Sequence, residues 1–349
     1  MDKIPVLYLS SEDFSKKMAV SMVSLLDNKK PTTYYDIYVL IEKLYSKDAL
    51  CPFEQLKEKY SDFDIHWIEM DDAFNDTQVN VVGVGKETMY RLMAPEVLPQ
   101  VDRCIYLDAD TLILDDLSEM YEYDIGNDYI AGIYPERFLT NMMSDYKKAY
   151  GGASVRMLEK QVGLCVYDQY IGAGVMIMNL AQMRTDHMTK KFVAMVKPNS
   201  LPKDQDILNT CCYGHISKLP VKFCIDLHEL DDLDWYADNN EEELRRIQRA
   251  LGNPVVVHYS DRFKPWVRYG LRYEKVWWNY AFSLGFGGLM WDELMKNLGV
   301  ENRSPSIMTV NNGMTYQEAY NEFSKGISYR IGRAITYVPR KIYYFFKSH

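Results

Sequence analysis

Asp108 and Asp110, one residue apart, close the apolar run Cys104-Ile105-Tyr106-Leu107. Such a run stopping at acids reads as a buried strand emerging at a sheet edge, where open α/β folds place their ligands. Residues i and i+2 of an extended chain share a side, so both carboxylates can face one cation. Hard oxygen ligands suit magnesium or manganese, and such an ion commonly carries a phosphate, which makes a metal-bound nucleotide the first hypothesis. The competing reading of Asp-Ala-Asp is an ordinary turn. His258 follows the apolar residues 254–257 as Asp110 follows its own run, so the three can meet at one edge. Two carboxylates and an imidazole make a workable set for manganese. Lys264, six residues on, is a point charge suited to a diphosphate, and Pro265 and Trp266 would stiffen and pack its loop. The plainer alternative is a solvated lysine beside a core tryptophan.

Short apolar runs alternate with longer amphipathic ones through the first half, the pattern of βα units feeding a mainly parallel sheet. Strands are expected over residues 4–9, 36–41, 63–68, 103–107 and 129–133, with helices over 14–26, 47–60 and 86–98. Residues 141–161 are polar and rich in Lys, Met and Gly, a helical insertion or a flap. Gly172-Ala173-Gly174 then precedes the apolar run Val175-Met176-Ile177-Met178, where small residues allow close approach of backbone or ligand. One helix is expected over 181–196, and another starts at Lys203-Asp204-Gln205-Asp206, with acids in its first turn. Residues 226–240 read as an acidic loop and 241–250 as a charged surface helix. Glycines 285, 287 and 288 suggest a domain limit near 280–288.

The chain has 349 residues, 47% hydrophobic, enough for one large domain with an appendage or for two domains. A formal charge of -9 disfavours a nucleic-acid partner, because phosphate neutralisation needs a basic surface. Six cysteines contain no C-x-x-C pair, which favours free thiols in a reducing cytosol over disulfides or zinc. The apolar N-terminal run is too short for a signal segment, and no stretch reaches the length of a membrane span, so a cytoplasmic location is expected. From Lys325 onward there is no acid, and Lys and Arg alternate with Tyr and Phe. That composition suits peripheral contact of 325–349 with an anionic membrane, the alternative being a solvated terminus.

Four motifs fall in the order of glycosyltransferase family 8, the family of bacterial lipopolysaccharide galactosyltransferases and glycogenin. They are Asp108-Ala109-Asp110, Gly172-Ala173-Gly174-Val175 before Asn179-Leu180, Asp204-Gln205-Asp206-Ile207-Leu208-Asn209, and His258-Tyr259 with Lys264-Pro265-Trp266. The similarity spans about residues 3 to 283. It implies a GT-A fold over 1–283 and a helical C-terminal segment over 284–349. It implies further a UDP-sugar donor, a manganese or magnesium ion, and transfer of a hexose to a glycan or glycolipid acceptor with retention at the anomeric carbon. By the same resemblance Asp108, Asp110 and His258 are the metal ligands and Lys264 meets the diphosphate. Gln205 and Asp204 are the catalytic candidates. The donor-binding set is Leu9, Ser10, Ser11, Asp13, Arg91, Asp108, Ala109, Gly172, Ala173, Asp206, Asp261 and Lys264.

The chain also departs from the family pattern. Gly172 stands where many members have Asn, and Asp261 stands where the galactosyltransferases have Gly. Ser11 replaces the usual Asp of the first loop, and Tyr134-Pro135 replaces an expected acid. These changes bear on the sugar more than on the reaction. Two other readings stay open: a protein acceptor, as for glycogenin, which the 28 tyrosines permit, and a degenerate UDP-sugar binder.

Overall fold

The computed structural model describes residues 3–70, 86–137, 169–196, 203–230 and 233–297. The first three apolar runs form parallel strands β1 (Lys3–Leu9), β2 (Tyr34–Ile41) and β3 (Phe63–Glu69). Helices Ser15–Asp27 and Lys47–Lys59 lie between them in the chain. The chain then returns to the opposite flank of β1 with β4 (Cys104–Leu107), parallel to it. This reversal makes the gap between β1 and β4 a topological switch point, and the C-terminal ends of both strands open onto it. Ser10 and Ser11 follow β1 there, and Asp108 to Asp110 follow β4.

A short strand β5 (Thr111–Ile113) leaves this sheet, while β6 (Ile130–Gly132), β7 (Val175–Met178) and β8 (Ile216–Lys218) complete it. The order is β3-β2-β1-β4-β7-β6-β8, with β7 antiparallel to both of its neighbours. A second sheet joins β5, β10 (Val256–His258) and β9 (Ile225–Asp226), with β10 central. Residues of the central strands β1, β4 and β7 are buried on both faces of the main sheet, as expected where helices cover each side, while the edge strand β3 is partly exposed. Tyr8 of β1 bonds Ser21 of the first helix at 3.0 Å. Leu7 and Leu9, in the other phase, pack with Leu92, Met176, Leu180 and Ile207.

Several boundaries differ from the sequence reading. Residues 86–98 form a 3-10 helix, Lys86–Met93, followed by the short α-helix Ala94–Val97, which begins at a proline-compatible first turn. The single helix expected over 181–196 is two, Leu180–Thr185 and Met188–Met195. His187 adopts a left-handed φ of 52° between them, and the Asp186 carboxylate accepts from Gln182 Nε2 and Tyr129 Oη at 2.7 and 2.8 Å. The region read as an acidic loop contains strand β9 and the helix Leu233–Asn239.

The chain divides into a unit Met1–Leu294, which holds every strand among the described residues, and a unit Met295–His349. No helix among the described residues is long and apolar enough to cross a membrane. Cys51, Cys104, Cys211, Cys212 and Cys224 are free thiols. The insertion 141–161 and the basic, aromatic stretch 325–349 lie outside the described residues.

Candidate active site

Asp108 and Asp110 do not reach one another as i and i+2 of an extended strand. The chain turns there, Thr111 N donating to Asp108 O at 3.3 Å, and runs on into β5. His258 arrives through the second sheet: its register partners are Thr111 on β5 and Asp226 on β9. Tyr259 N also donates to Asp110 O at 3.0 Å. His258 Nε2 thereby lies 3.5 Å from Asp108 Oδ2 and 3.2 Å from Asp110 Oδ1. Gly174, at the head of β7, makes room for this. A Cβ on it would stand 2.2 Å from His258 Cε1 and 2.8 Å from Asp108 Oδ2. The close approach read from the small residues is therefore that of the His258 ring.

Each member of the cluster is backed by a partner. His258 Nδ1 lies 3.1 Å from Asp226 Oδ2, and Asp226 Oδ1 accepts from Ser260 Oγ at 2.5 Å and His228 N at 2.9 Å. A carboxylate accepts only, so Nδ1 donates to Asp226, and Nε2, which faces the two acids, offers them a proton as imidazolium or, deprotonated, offers its lone pair to a cation. Arg91, buried, bonds Asp108 Oδ1 at 3.1 Å and Ala173 O at 2.8 Å and pairs with Asp204 Oδ2 at 3.0 Å. Its guanidinium stacks 4.3 Å from the Tyr106 ring, and Tyr106 Oη donates to Asp108 Oδ1 at 2.5 Å. The Lys264 ammonium sits on Asp110 Oδ2. Trp266 holds that loop down, its ring 5.1 Å from Trp277 and 6.2 Å from Phe14.

The titration directions follow. Burial pushes Asp110 and Asp108 up, but Lys264 and His258 for the first and Arg91 for the second hold both below the usual carboxylate range. Burial likewise raises Asp226, and the bonds from His258 and Ser260 bring it down to about 2. Burial opposes charge on His258, yet Asp110, Asp108 and Asp226 carry its pKa well above the usual value. Three lone pairs converging on one point demand a proton or a cation.

That convergence tests the fit of a metal. Asp110 Oδ1 is buried without a hydrogen-bond partner, and ligand atoms of Asp108, Asp110 and His258 all lie within 4.8 Å of one another. Two hard carboxylates and an imidazole suit a divalent ion such as manganese or magnesium. The ammonium on Asp110 marks the same demand for positive charge.

Helix Asp204–Cys211 presents the motif acids and amides. Asp204 is buried against Arg91, and burial raises its pKa. Gln205 Oε1 accepts from Ala173 N at 2.9 Å, and its Nε2 donates to Tyr170 Oη at 3.0 Å. Asn209, one turn on, accepts from Ile171 N at 2.7 Å and donates to Ile171 O at 2.9 Å, which docks the helix on the segment before β7. Asp206 faces away from the cleft. Its oxygens take the Tyr170 hydroxyl at 2.8 Å and Lys203 N at 3.0 Å.

Two cavities meet at the cluster. The larger, about 460 Å³, lies over the switch point and is lined by Leu9, Ser10, Ser11, Arg91, Asp108, Ala109, Asp110 and Lys264. The smaller, about 200 Å³, lies on the far side of His258, between Gly172, Gln205, Asp226 and His228. Asp261 borders both. Its φ of 50° is left-handed, a conformation in which glycine is relaxed and aspartate is among the better tolerated alternatives. Gly172 has open space, its nearest neighbour being Ile133 O at 4.0 Å from a built Cβ. Asp13 is exposed and lines neither cavity. Asp226 and Tyr170 escaped the sequence reading, and Asn209 entered it only as part of its motif; that Asp226 is the strand partner of the histidine is visible only once the second sheet is known.

Residues 5–270 match the family model described as glycosyl transferase family 8. A lipopolysaccharide 1,2-glucosyltransferase of Escherichia coli is 24% identical over 278 residues, 77% of this chain and 73% of that one. The solved bifunctional glycosyltransferase WbbM is similar with a TM-score of 0.70 at 18% identity, over 84% of this chain and 52% of that one. The galactosyltransferase LgtC, solved with donor and acceptor sugar analogues, gives 0.62 at 20% identity, over 81% and 96%. At such identities these structures speak for the fold, the GT-A fold that the motifs implied. The matched span runs from β1 through β10 to the Lys264 loop, and the chain belongs to glycosyl transferase family 8.

Proposed function

We propose that the protein moves a hexose from a UDP-sugar to a glycan or glycolipid acceptor of a bacterial cell-surface glycan, with retention at the anomeric carbon. A divalent ion held by Asp108, Asp110 and His258 is part of this reading. The observation that carries it is the convergence of ligand atoms from half-buried Asp108 and buried Asp110 and His258 at the mouth of the switch-point cavity.

Bound there, the ion would neutralise charge gathering on the departing UDP. The protein's own groups prepare the rest. Asp226 keeps the His258 lone pair aimed at the acids. Arg91 fixes Asp108 and Asp204 in one frame. Lys264 borders the larger cavity, where it can transfer its hydrogen bonds from Asp110 to a diphosphate oxygen. Loss of UDP leaves positive charge at the anomeric carbon, and the Gln205 carbonyl offers its negative end to that centre. Asp204 is the alternative nucleophile, but its Oδ2 is spent on Arg91. That pairing supports attack by the acceptor from the face that UDP leaves. The smaller cavity, with Gln205 on its wall, is then the acceptor side.

The test is UDP release from a panel of UDP-sugars, with manganese and with chelator, on the wild type and Asp110→Ala. The expected result is manganese-dependent release from one sugar, abolished by the substitution. UDP binding without release from any sugar would replace the transferase with a binder.

A further inference from the structure

Gln205 can act on a positive centre only if its carbonyl, and not its NH2, faces that centre. The two ends of an amide have the same shape, so packing alone does not choose between them. Here hydrogen-bond polarity does. Ala173 N–H can only donate, so the atom 2.9 Å from it is Oε1. The other end, Nε2, then needs an acceptor, and it finds Tyr170 Oη at 3.0 Å. A hydroxyl could donate instead, but the Tyr170 proton is committed to Asp206 Oδ1 at 2.8 Å. Asp206 in turn is fixed by Lys203 N on its second oxygen, at the N-terminus of the helix. From Lys203 N through Asp206 and Tyr170 to Ala173 N–H, every donor and acceptor has one possible sense. Tyr170 is 2% exposed, so water does not substitute for it.

We infer that Tyr170 is a positioning residue that, with Asp206 behind it, locks the Gln205 side chain with its carbonyl end toward the reacting centre. The inference rests on the reading of Gln205 as the group that supports the anomeric charge. Without the hydroxyl, the part-buried Nε2 loses its acceptor, and the amide gains by rotating away. Tyr170→Phe keeps the ring and its packing while removing this restraint.

The experiment is a double-mutant cycle of Tyr170→Phe and Gln205→Ala, with kcat and donor KM measured on the manganese-supplemented full-length protein. Tyr170→Phe is expected to lower kcat by about tenfold, the size of one unsatisfied buried donor, with donor KM kept within about twofold. In the Gln205→Ala background the same substitution should change nothing further. An equal loss in both backgrounds, or a loss confined to KM, overturns the inference. Full turnover in Gln205→Ala alone would instead sink the role of Gln205, and Tyr170's with it. A readout independent of turnover is the Gln205 side-chain amide resonance, identified by its disappearance in Gln205→Ala. Slow proton exchange in the wild type and fast exchange in Tyr170→Phe is the expected pair of spectra; the same exchange in both contradicts the lock.

Discussion

Two Asp-Asp-His clusters occur among the described residues, each with ligand atoms within 4.8 Å of one another: Asp108, Asp110 and His258 at the switch point, Asp36, Asp64 and His66 on strands β2 and β3. Their surroundings separate them. The His258 and Asp110 side chains are each 11% exposed, whereas those of His66 and Asp64 are 46% and 48% exposed; Asp108 and Asp36, at 26% and 13%, lie between. Asp36 and Asp64 stand directly opposite in the β2–β3 register, a repulsive arrangement that nearby donors relieve. His66 Nε2 lies 2.7 Å from Asp36 Oδ1, Tyr38 Oη donates to Asp36 at 2.8 Å, and Tyr34 Oη to Asp64 at 2.7 Å. Lys3 adds a charge 3.6 Å from Asp64. Water and these donors satisfy the surface cluster, and its imidazole spends Nε2 on one of the acids. At the switch point the imidazole spends Nδ1 on a third carboxylate, Asp226, and turns Nε2 inward. Composition and proximity do not make a site; the second nitrogen's partner and the exclusion of water do.

The sharpest way to break this contrast is to remove one buried ligand. Asp110→Asn should cut turnover by about 10³-fold, since several kcal/mol of charge stabilisation depend on the cluster. Steady-state UDP release measures it, and a loss below tenfold would remove Asp110 from the centre. Next comes the residue behind the histidine. Asp226→Asn should lower affinity for manganese by about 10–100-fold, read by titration calorimetry, because the amide no longer favours one His258 tautomer. Unchanged affinity would make Asp226 a purely structural acid. Lys264→Met is expected to raise donor KM by about tenfold with a smaller change in kcat, the cost of one charge-assisted bond to a ligand oxygen. A kcat effect alone would place the lysine in the chemical step. At the small end, Asp36→Asn with His66→Ala should leave turnover within about twofold and stability within about 0.5 kcal/mol by denaturant unfolding, as for exposed ion pairs. A large loss here would make the surface cluster functional after all.

The sequence disclosed what depends on local pattern. Alternating apolar runs announced the parallel strands, and the acids after Leu107 marked a strand end at the switch point, because a buried strand stops where its sheet does. His258 was readable for the same reason, although the route by which it arrives, a separate sheet pairing β10 with β5, was not. Pairings between distant segments leave no local trace. Asp226 bonds a histidine 32 positions away and so read only as part of an acidic loop. Asp206 was readable from its motif as holding the sugar or its neighbours, and its carboxylate takes the Tyr170 hydroxyl and Lys203 N. Gly174 was recognised as a position of close approach, and only the fold shows that a side chain of the cluster itself takes up the space.

The central claim is that one of the two clusters holds a cation and the other does not. Manganese binding to the full-length protein, followed by electron paramagnetic resonance, tests it on the wild type, on Asp110→Ala with His258→Ala, and on Asp36→Asn with His66→Ala. The account predicts a bound ion in the wild type and the surface variant, and none at that affinity in the switch-point variant. Binding that survives loss of Asp110 and His258 but vanishes with His66 and Asp36 would contradict it.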